Sequence, residues 1–369
     1  MYKIKNIVSD YSSVIFFLGT KAQFIKTAPL LERLNNANIP IEIIDTGQHK
    51  STTSSQIKSL KFQYSYKNLS KNKEDISTVL SIINWFIKVL FKILFTKKRN
   101  TKSICILHGD TASTLLGIIW AKKNNALPLH IESGSRSGTI YRPFPEEVIR
   151  IIVERYSKIL ICEREFQLKN LDKYRDKKNV IYTKYPTIFD AISKNIDENN
   201  EERVNRLLVT IHRTENILNK EKLNDLLNLL IDITKKNIFD QILWLCHEPT
   251  YKILEKNNYI HKLVNNDIEL ESLVPHSEFL NKLNNSKCIF TDGGGVIQEA
   301  EYLSIPLIIW RKKNKVDTQY ESNKNILITD YDKQSIIEFI SYLSNEKREV
   351  TNISLSPSQI ICDEIEKYF

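Results

Sequence analysis

Between Ile104 and Arg150 two short apolar runs alternate with one helical segment, and that alternation restricts the fold more than any other part of the chain. Ile104 to Leu107 and Leu129 to Ile131 read as buried strands, with a helix over Ala112 to Lys123 between them. A strand, helix, strand unit of this kind belongs to a parallel sheet. Each run leads into a carboxylate, Asp110 in His-Gly-Asp-Thr and Glu132 in His-Ile-Glu-Ser. Ligands of parallel sheets bind beyond the carboxyl ends of the strands. Asp110 and Glu132 are therefore expected to project into one crevice. Glu146 and Glu147 follow a Pro-Phe-Pro turn in which Pro145 suits the first turn of a helix and the acidic pair suits its N-terminus. That adds a third acidic position to the same cleft.

A chain of 369 residues exceeds one ordinary core and suggests two domains. The first is expected to span residues 1–192, because Lys194 to Arg206 is nearly all polar and charged. The second, over 193–349, repeats the alternation, with strands at Leu207 to Thr210, Ile242 to Cys246, Ile268 to Leu270, Cys288 to Thr291 and Pro306 to Trp310. The fold class expected is α/β, with two Rossmann-like domains facing a central cleft. A last helix over 357–369, capped by Ser356 with Pro357 at its first position, is expected to pack back on the first domain.

Several strand-to-helix turns carry residues suited to an anion. Gly19-Thr-Lys-Ala-Gln opens a helix after the apolar run Val14 to Leu18, where backbone N–H groups suit a phosphate and Lys21 and Lys26 add charge. His212 and Arg213 follow a strand directly, at the mouth of the expected cleft. Gly293, Gly294 and Gly295 precede a helix, and three consecutive glycines are costly unless something approaches the backbone closely. A diphosphate on that helix N-terminus explains them, with Glu299 one turn in and able to reach a ribose hydroxyl.

The net charge of +9 would attract nucleotides, phosphates, nucleic acid or an anionic membrane surface without distinguishing among them, and a solvated basic surface accounts for it. The five cysteines are widely spaced, which fits buried reduced thiols in a cytoplasmic protein, and no pair has metal-ligand spacing. The N-terminus turns polar too soon for a signal peptide, so no export is expected. Val79 to Phe95 is the most apolar stretch, shorter than a usual span, and Lys97-Lys-Arg follows it. An amphipathic helix packed on the sheet or against a second subunit is expected there, the other reading being peripheral membrane contact through 79–99.

With these residues in place the chain resembles the UDP-N-acetylglucosamine 2-epimerase family, built on the glycosyltransferase-B fold. The motifs that carry the resemblance are Gly-Asp-Thr at 109 to 111, His-Ile-Glu-Ser-Gly-Ser-Arg at 130 to 136, Pro-Phe-Pro-Glu-Glu at 143 to 147, His-Arg-Thr-Glu-Asn at 212 to 216 and Thr-Asp-Gly-Gly-Gly from 291. The resemblance implies that Asp110, Glu132 and Glu146 are acid/base carboxylates, that His212 contacts the UDP phosphates and that Glu299 holds the ribose. Lys21, Lys26, Arg136, Arg213 and the three glycines complete the UDP-sugar-binding set. It implies interconversion of UDP-N-acetylglucosamine and UDP-N-acetylmannosamine by elimination and re-addition of UDP, for surface polysaccharide precursors. No nicotinamide cofactor is needed, since no hydride leaves the sugar, and no metal or nucleic acid is expected; a homodimer is. Three stretches depart from the family's pattern: Gly19-Thr-Lys-Ala-Gln23 where it has Gly-Thr-Arg-Pro-Glu, Gly293 where it has serine, and Asn314-Lys-Val-Asp-Thr318 where it has Thr-Glu-Arg-Pro-Glu. These departures keep a nucleotide-sugar transferase and a hydrolysing epimerase as alternatives.

Overall fold

The computed structural model describes residues 11–49, 60, 62–70, 79–139, 144–196, 203–320, 323–343, 351 and 353–369. Residues 141–143 of the proline turn, 197–202 of the polar boundary and 344–350 near the end of the expected second domain lie outside them. The chain divides into two compact units, residues 1–191 with 353–369, and residues 192–352.

In chain order the first unit contains β1 (Ser13–Leu18), α1 (Lys21–Asn36), β2 (Ile41–Asp45), β3 (Ser65–Asn68), α2 (Val79–Phe95), β4 (Ser103–His108), α3 (Ala112–Lys123), β5 (Leu127–Ile131), α4 (Glu146–Tyr156), β6 (Ile159–Cys162), α5 (Glu165–Asn170) and β7 (Asn179–Tyr182). The helix α6 (Thr187–Asn195) leads out of it. The strands form one parallel sheet in the order β3-β2-β1-β4-β5-β6-β7. Successive strand residues point to opposite faces. Val14, Phe16 and Leu18 therefore join one buried cluster, while Ile15 and Phe17 join another on the far side. Burial on both faces explains why these strands are continuous apolar runs.

The second unit contains β8 (Val204–Thr210), α7 (Thr214–Ile217), α8 (Lys220–Lys235), β9 (Gln241–Cys246), α9 (Glu248–Lys256), α10 (Tyr259–Val264), β10 (Ile268–Ser272), α11 (His276–Asn284), β11 (Ser286–Thr291), α12 (Gly294–Tyr302), β12 (Leu307–Ile309), β13 (Ile326–Ile328) and α13 (Lys333–Ser341). Its sheet is also parallel, in the order β10-β9-β8-β11-β12-β13. Each sheet reverses its order once, between β1 and β4 and between β8 and β11. Those switch points are where a doubly wound sheet opens a crevice at its strand ends.

The last helix, α14 (Pro357–Glu366), belongs to the first unit. Ser356 caps it by accepting from the Gln359 amide, and Pro357 stands at its first position. Ile361 and Ile365 enter the α1 face of the core, each contributing about 1.5–3 kcal/mol of burial. The Ser358 amide also donates to Asp190 Oδ2 at 2.7 Å.

Helix α2 buries Trp85, Val89 and Ile93 on the sheet, and the Trp85 indole N–H donates to the Thr46 carbonyl at 2.9 Å. Its opposite face leaves Leu80, Ile83, Ile87, Phe91, Leu94 and Phe95 exposed, a stripe at helical spacing. No helix among the described residues is long and apolar enough to cross a membrane. All five cysteines are buried as thiols. Pro145 precedes α4 as its cap residue instead of occupying its first turn, and Glu146 and Glu147 begin the helix.

Candidate active site

The first unit gathers its charged groups at the ends of β4, β5 and β6. Past β4 the chain turns through Gly109 and Asp110, and Thr111 caps α3 by accepting from the Thr114 amide. Past β5 it turns at Glu132, whose φ of +69° is left-handed. A non-glycine residue held there costs about 1–3 kcal/mol, and such strain collects at functional sites. Two buried groups stabilise the turn. His130 Nε2 lies 2.8 Å from the Gly109 carbonyl and its Nδ1 lies 2.8 Å from Ser133 Oγ, joining the β4 and β5 ends. Glu154, fully buried on α4, accepts from the Gly134 amide at 2.7 Å.

Glu132 faces cations. Lys26 Nζ on α1 lies 3.4 Å from its Oε1. Burial would raise the Glu132 carboxyl, but Lys26, His108 and Arg150 outweigh that and hold it below the ordinary carboxylate range. His108 Nδ1 approaches Glu132 Oε2 at 3.6 Å. Burial brings the His108 imidazole down to about 3, so at neutral pH it is uncharged and its contact is no ion pair. The ionised state of Glu132 thus rests on Lys26 and Arg150. Burial lowers Lys26, yet Glu132, Glu163 and Asp110 together keep its ammonium above the usual lysine range. Arg150 pairs closely with Asp110 and donates to Glu147 Oε2 at 3.0 Å. One Glu146 carboxylate oxygen is buried without a hydrogen-bond partner among the described residues.

Two expected ligand groups have partners within the protein. Lys26 was expected beside a phosphate and is paired with Glu132. Arg136 was expected to bind substrate, and its guanidinium is held by buried Glu154, with Glu147 3.8 Å away. It braces the loop after β5. Lys21 is the first residue of α1, as expected for a helix N-terminus.

Gln23 explains one departure from the family pattern. Its Oε1 accepts from the Gly19 and Thr20 amides, at 2.9 and 3.1 Å. Its Nε2 donates to the His108 carbonyl at 2.8 Å and to the Thr111 and Thr114 hydroxyls at 3.1 Å each. One buried amide therefore ties the β1 end to the β4 end across the switch point. A carboxylate could not donate to the His108 carbonyl.

The second unit builds a separate group around Asp292, which is fully buried. It accepts from the His212 amide at 3.1 Å, the Arg213 amide at 2.9 Å and Asn216 Nδ2 at 2.8 Å. His212 Nδ1 lies 3.3 Å from Asp292 Oδ1. This carboxylate thus sets both the backbone and the ring of the histidine loop, each charge-assisted bond worth about 1.5–3 kcal/mol. Arg213 is half exposed and meets Glu215 at 3.4 Å. Gly293 caps α12, and Gly294 and Gly295 form its first turn. A Cβ at 294 or 295 would touch nothing within 4 Å, so chain packing does not require glycine there. Glu299, one turn in, is buried and lies 2.8 Å from His276 Nε2. The loop after β12 is anchored by Arg311 and buried Asp317 at 2.5 Å.

Asp292, His276, Glu163 and His108 were not singled out from sequence. Asp292 and His108 did stand inside quoted motifs, and only strand pairing reveals what they touch.

The chain matches the family model described as UDP-N-acetylglucosamine 2-epimerase over residues 32–359. The chain belongs to that family. The UDP-N-acetylglucosamine 2-epimerase of Methanocaldococcus jannaschii is 30% identical over 350 residues, covering 91% of this chain and 93% of the relative. That of Bacillus subtilis is 24% identical, covering 92% and 89%. The crystal structure of the M. jannaschii enzyme in complex with UDP-GlcNAc and UDP superposes with a TM-score of 0.80 at 26% identity, over 97% of this chain and all of that one. The chain has the two parallel-sheet α/β units of this epimerase family, the glycosyltransferase-B-like fold expected from sequence.

Proposed function

We propose that this chain interconverts UDP-N-acetylglucosamine and UDP-N-acetylmannosamine without a redox cofactor. The observation that carries the reading is the set of carboxylates Asp110, Glu132 and Glu146 at the strand and helix ends of the first unit, in a chain of the epimerase family. A base takes the C2 proton, the C2–H electron pair becomes the C1=C2 bond of a 2-acetamidoglucal, and UDP departs with the C1–O pair. Re-addition reverses these changes, with a proton delivered to the other face of C2. Glu132 is ionised and oriented by Lys26, as a base must be, and Asp110 and Glu146 complete the acid/base set.

On the second unit, Asp292 orients His212 through Nδ1, leaving Nε2 for the diphosphate. The open first turn of α12 offers its amides to the same group, and Glu299, oriented by His276, receives the ribose hydroxyls. Arg213 adds charge stabilisation as UDP leaves. The exposed stripe of α2 is the surface through which two copies pair, because six large apolar side chains on one helix face exceed what a monomer ordinarily leaves in water.

The alternatives are separated by incubating the protein with UDP-N-acetylglucosamine alone. A second UDP-sugar in the NMR spectrum supports epimerisation. Free UDP with free N-acetylmannosamine would assign the hydrolysing reaction, and turnover only after a membrane extract is added would assign a transferase.

A further inference from the structure

Beyond the motif carboxylates lies a further one, Glu163, directly after β6. It is 1% exposed. Strand β6 pairs with β5 through Leu129 with Ile159 and His130 with Leu160, and the Ser133 amide continues the ladder by donating to the Ile161 carbonyl at 2.8 Å. Glu163 therefore follows its strand where Glu132 and Ser133 follow the neighbouring one. The charged groups acting on it are Glu132 beyond β5, Lys26 on α1 and Arg164 next in the chain, and the Thr187 amide donates to it.

Buried Glu163 and part-buried Glu132 thus both act on the Lys26 ammonium, which lies 3.4 Å from Glu132. Like charges on neighbouring strand ends resist joint ionisation, and one of the two retains a proton. Lys26 and Arg150 favour the ionised form of Glu132. The proton falls to Glu163, pushed up to about 8 by burial first and by the Glu132 charge second.

We infer that Glu163 is a positioning residue whose neutral carboxyl reserves Lys26 for Glu132, and that its ionisation divides the ammonium between two carboxylates and disorders the base. The inference rests on the epimerase reading for its catalytic consequence, and on the buried cluster alone for the protonation state.

The sign follows from proton binding. The folded chain holds a proton at Glu163 that the unfolded chain has lost, so this residue makes stability fall as pH rises from the ordinary glutamate range toward about 8, and is neutral above it. Glu163→Gln copies the protonated acid and removes that dependence. Thermal unfolding of the full chain and of E163Q from pH 5 to pH 9 should show the midpoint difference growing in favour of E163Q up to about pH 8. The alkaline limb of the epimerisation rate should also move up by about one pH unit or more in E163Q. A midpoint difference independent of pH, or superimposed rate profiles, overturns the inference. If the parent chain shows no turnover, the epimerase reading fails while the unfolding comparison still decides the protonation state. Glu163→Met, neutral and of similar length, serves the same comparison if E163Q does not fold.

Discussion

Gly293 lies beneath His212 so closely that a Cβ at position 293 would stand 2.8 Å from His212 Cε1. The histidine ring occupies space that the serine of the family pattern would use, which relates this departure to the conformation of His212 in this chain. Two adjustments are open to a Gly293→Ser variant: a displaced ring or a displaced turn. Either disturbs the 3.3 Å approach of His212 Nδ1 to Asp292.

Gly293→Ser is therefore expected to weaken UDP binding by roughly tenfold, equivalent to about 1.4 kcal/mol, with little change in the unfolding midpoint. Calorimetric titration with UDP checks this. Unchanged affinity would show that the ring moves without consequence.

Gln23→Glu restores the family residue and should destabilise this chain. The variant keeps the capping contacts to the Gly19 and Thr20 amides but turns a carboxylate toward the His108 carbonyl, 2.8 Å from the present amide nitrogen. Losing a buried donor and setting a carboxylate oxygen against a carbonyl costs about 1–3 kcal/mol, measurable by urea denaturation. Stability equal to the parent would mean that the switch point rearranges around the acid.

Lys26→Met should lower stability at neutral pH by about 1.5–3 kcal/mol, because Glu132 loses one of the two cations that offset its partial burial. The depressed Glu132 carboxyl contributes stability above its unfolded value, and that contribution is lost as pH falls through its lower folded value. The difference between parent and variant should therefore be largest near neutrality and shrink in acid. A difference constant with pH would separate Lys26 from the Glu132 charge.

The apolar stripe on α2 makes a prediction about assembly. Light scattering should give twice the single-chain 43.1 kDa, and Phe91→Glu, at an exposed position away from buried Trp85, Val89 and Ile93, should give the single mass. A monomeric parent that sediments with anionic vesicles would assign the stripe to a membrane surface instead.

How legible these features were depended on what kind of signal each residue leaves. Strands buried on both faces, such as Ile104 to Leu107, announce themselves as apolar runs. The edge strand β3, Ser-Tyr-Lys-Asn, is exposed throughout and carries no such run, and β13 is only three residues long. Neither was read from sequence. The carboxylates Asp110 and Glu132 were placed at strand ends by position alone, whereas the engagement of Arg136 by Glu154 and of Lys26 by Glu132 depends on helices meeting strands remote in sequence. The proximity of Glu163 to Glu132 follows from strand order, which no local pattern specifies. Gln23 was read as a lost carboxylate. Its role as a donor to the β4 end appears only when residues 85 to 91 positions apart are brought together.

Epimerisation by this chain requires that it remove and return the C2 proton of a UDP-sugar. Incubation with UDP-N-acetylglucosamine in deuterated water should yield UDP-N-acetylmannosamine with deuterium at C2, and Glu132→Gln should lower the exchange rate by two orders of magnitude or more, about 10²–10⁴-fold for a lost acid/base group. Recovery of the starting sugar with neither exchange nor epimer, by a protein that still binds UDP, would show that the chain is not an epimerase.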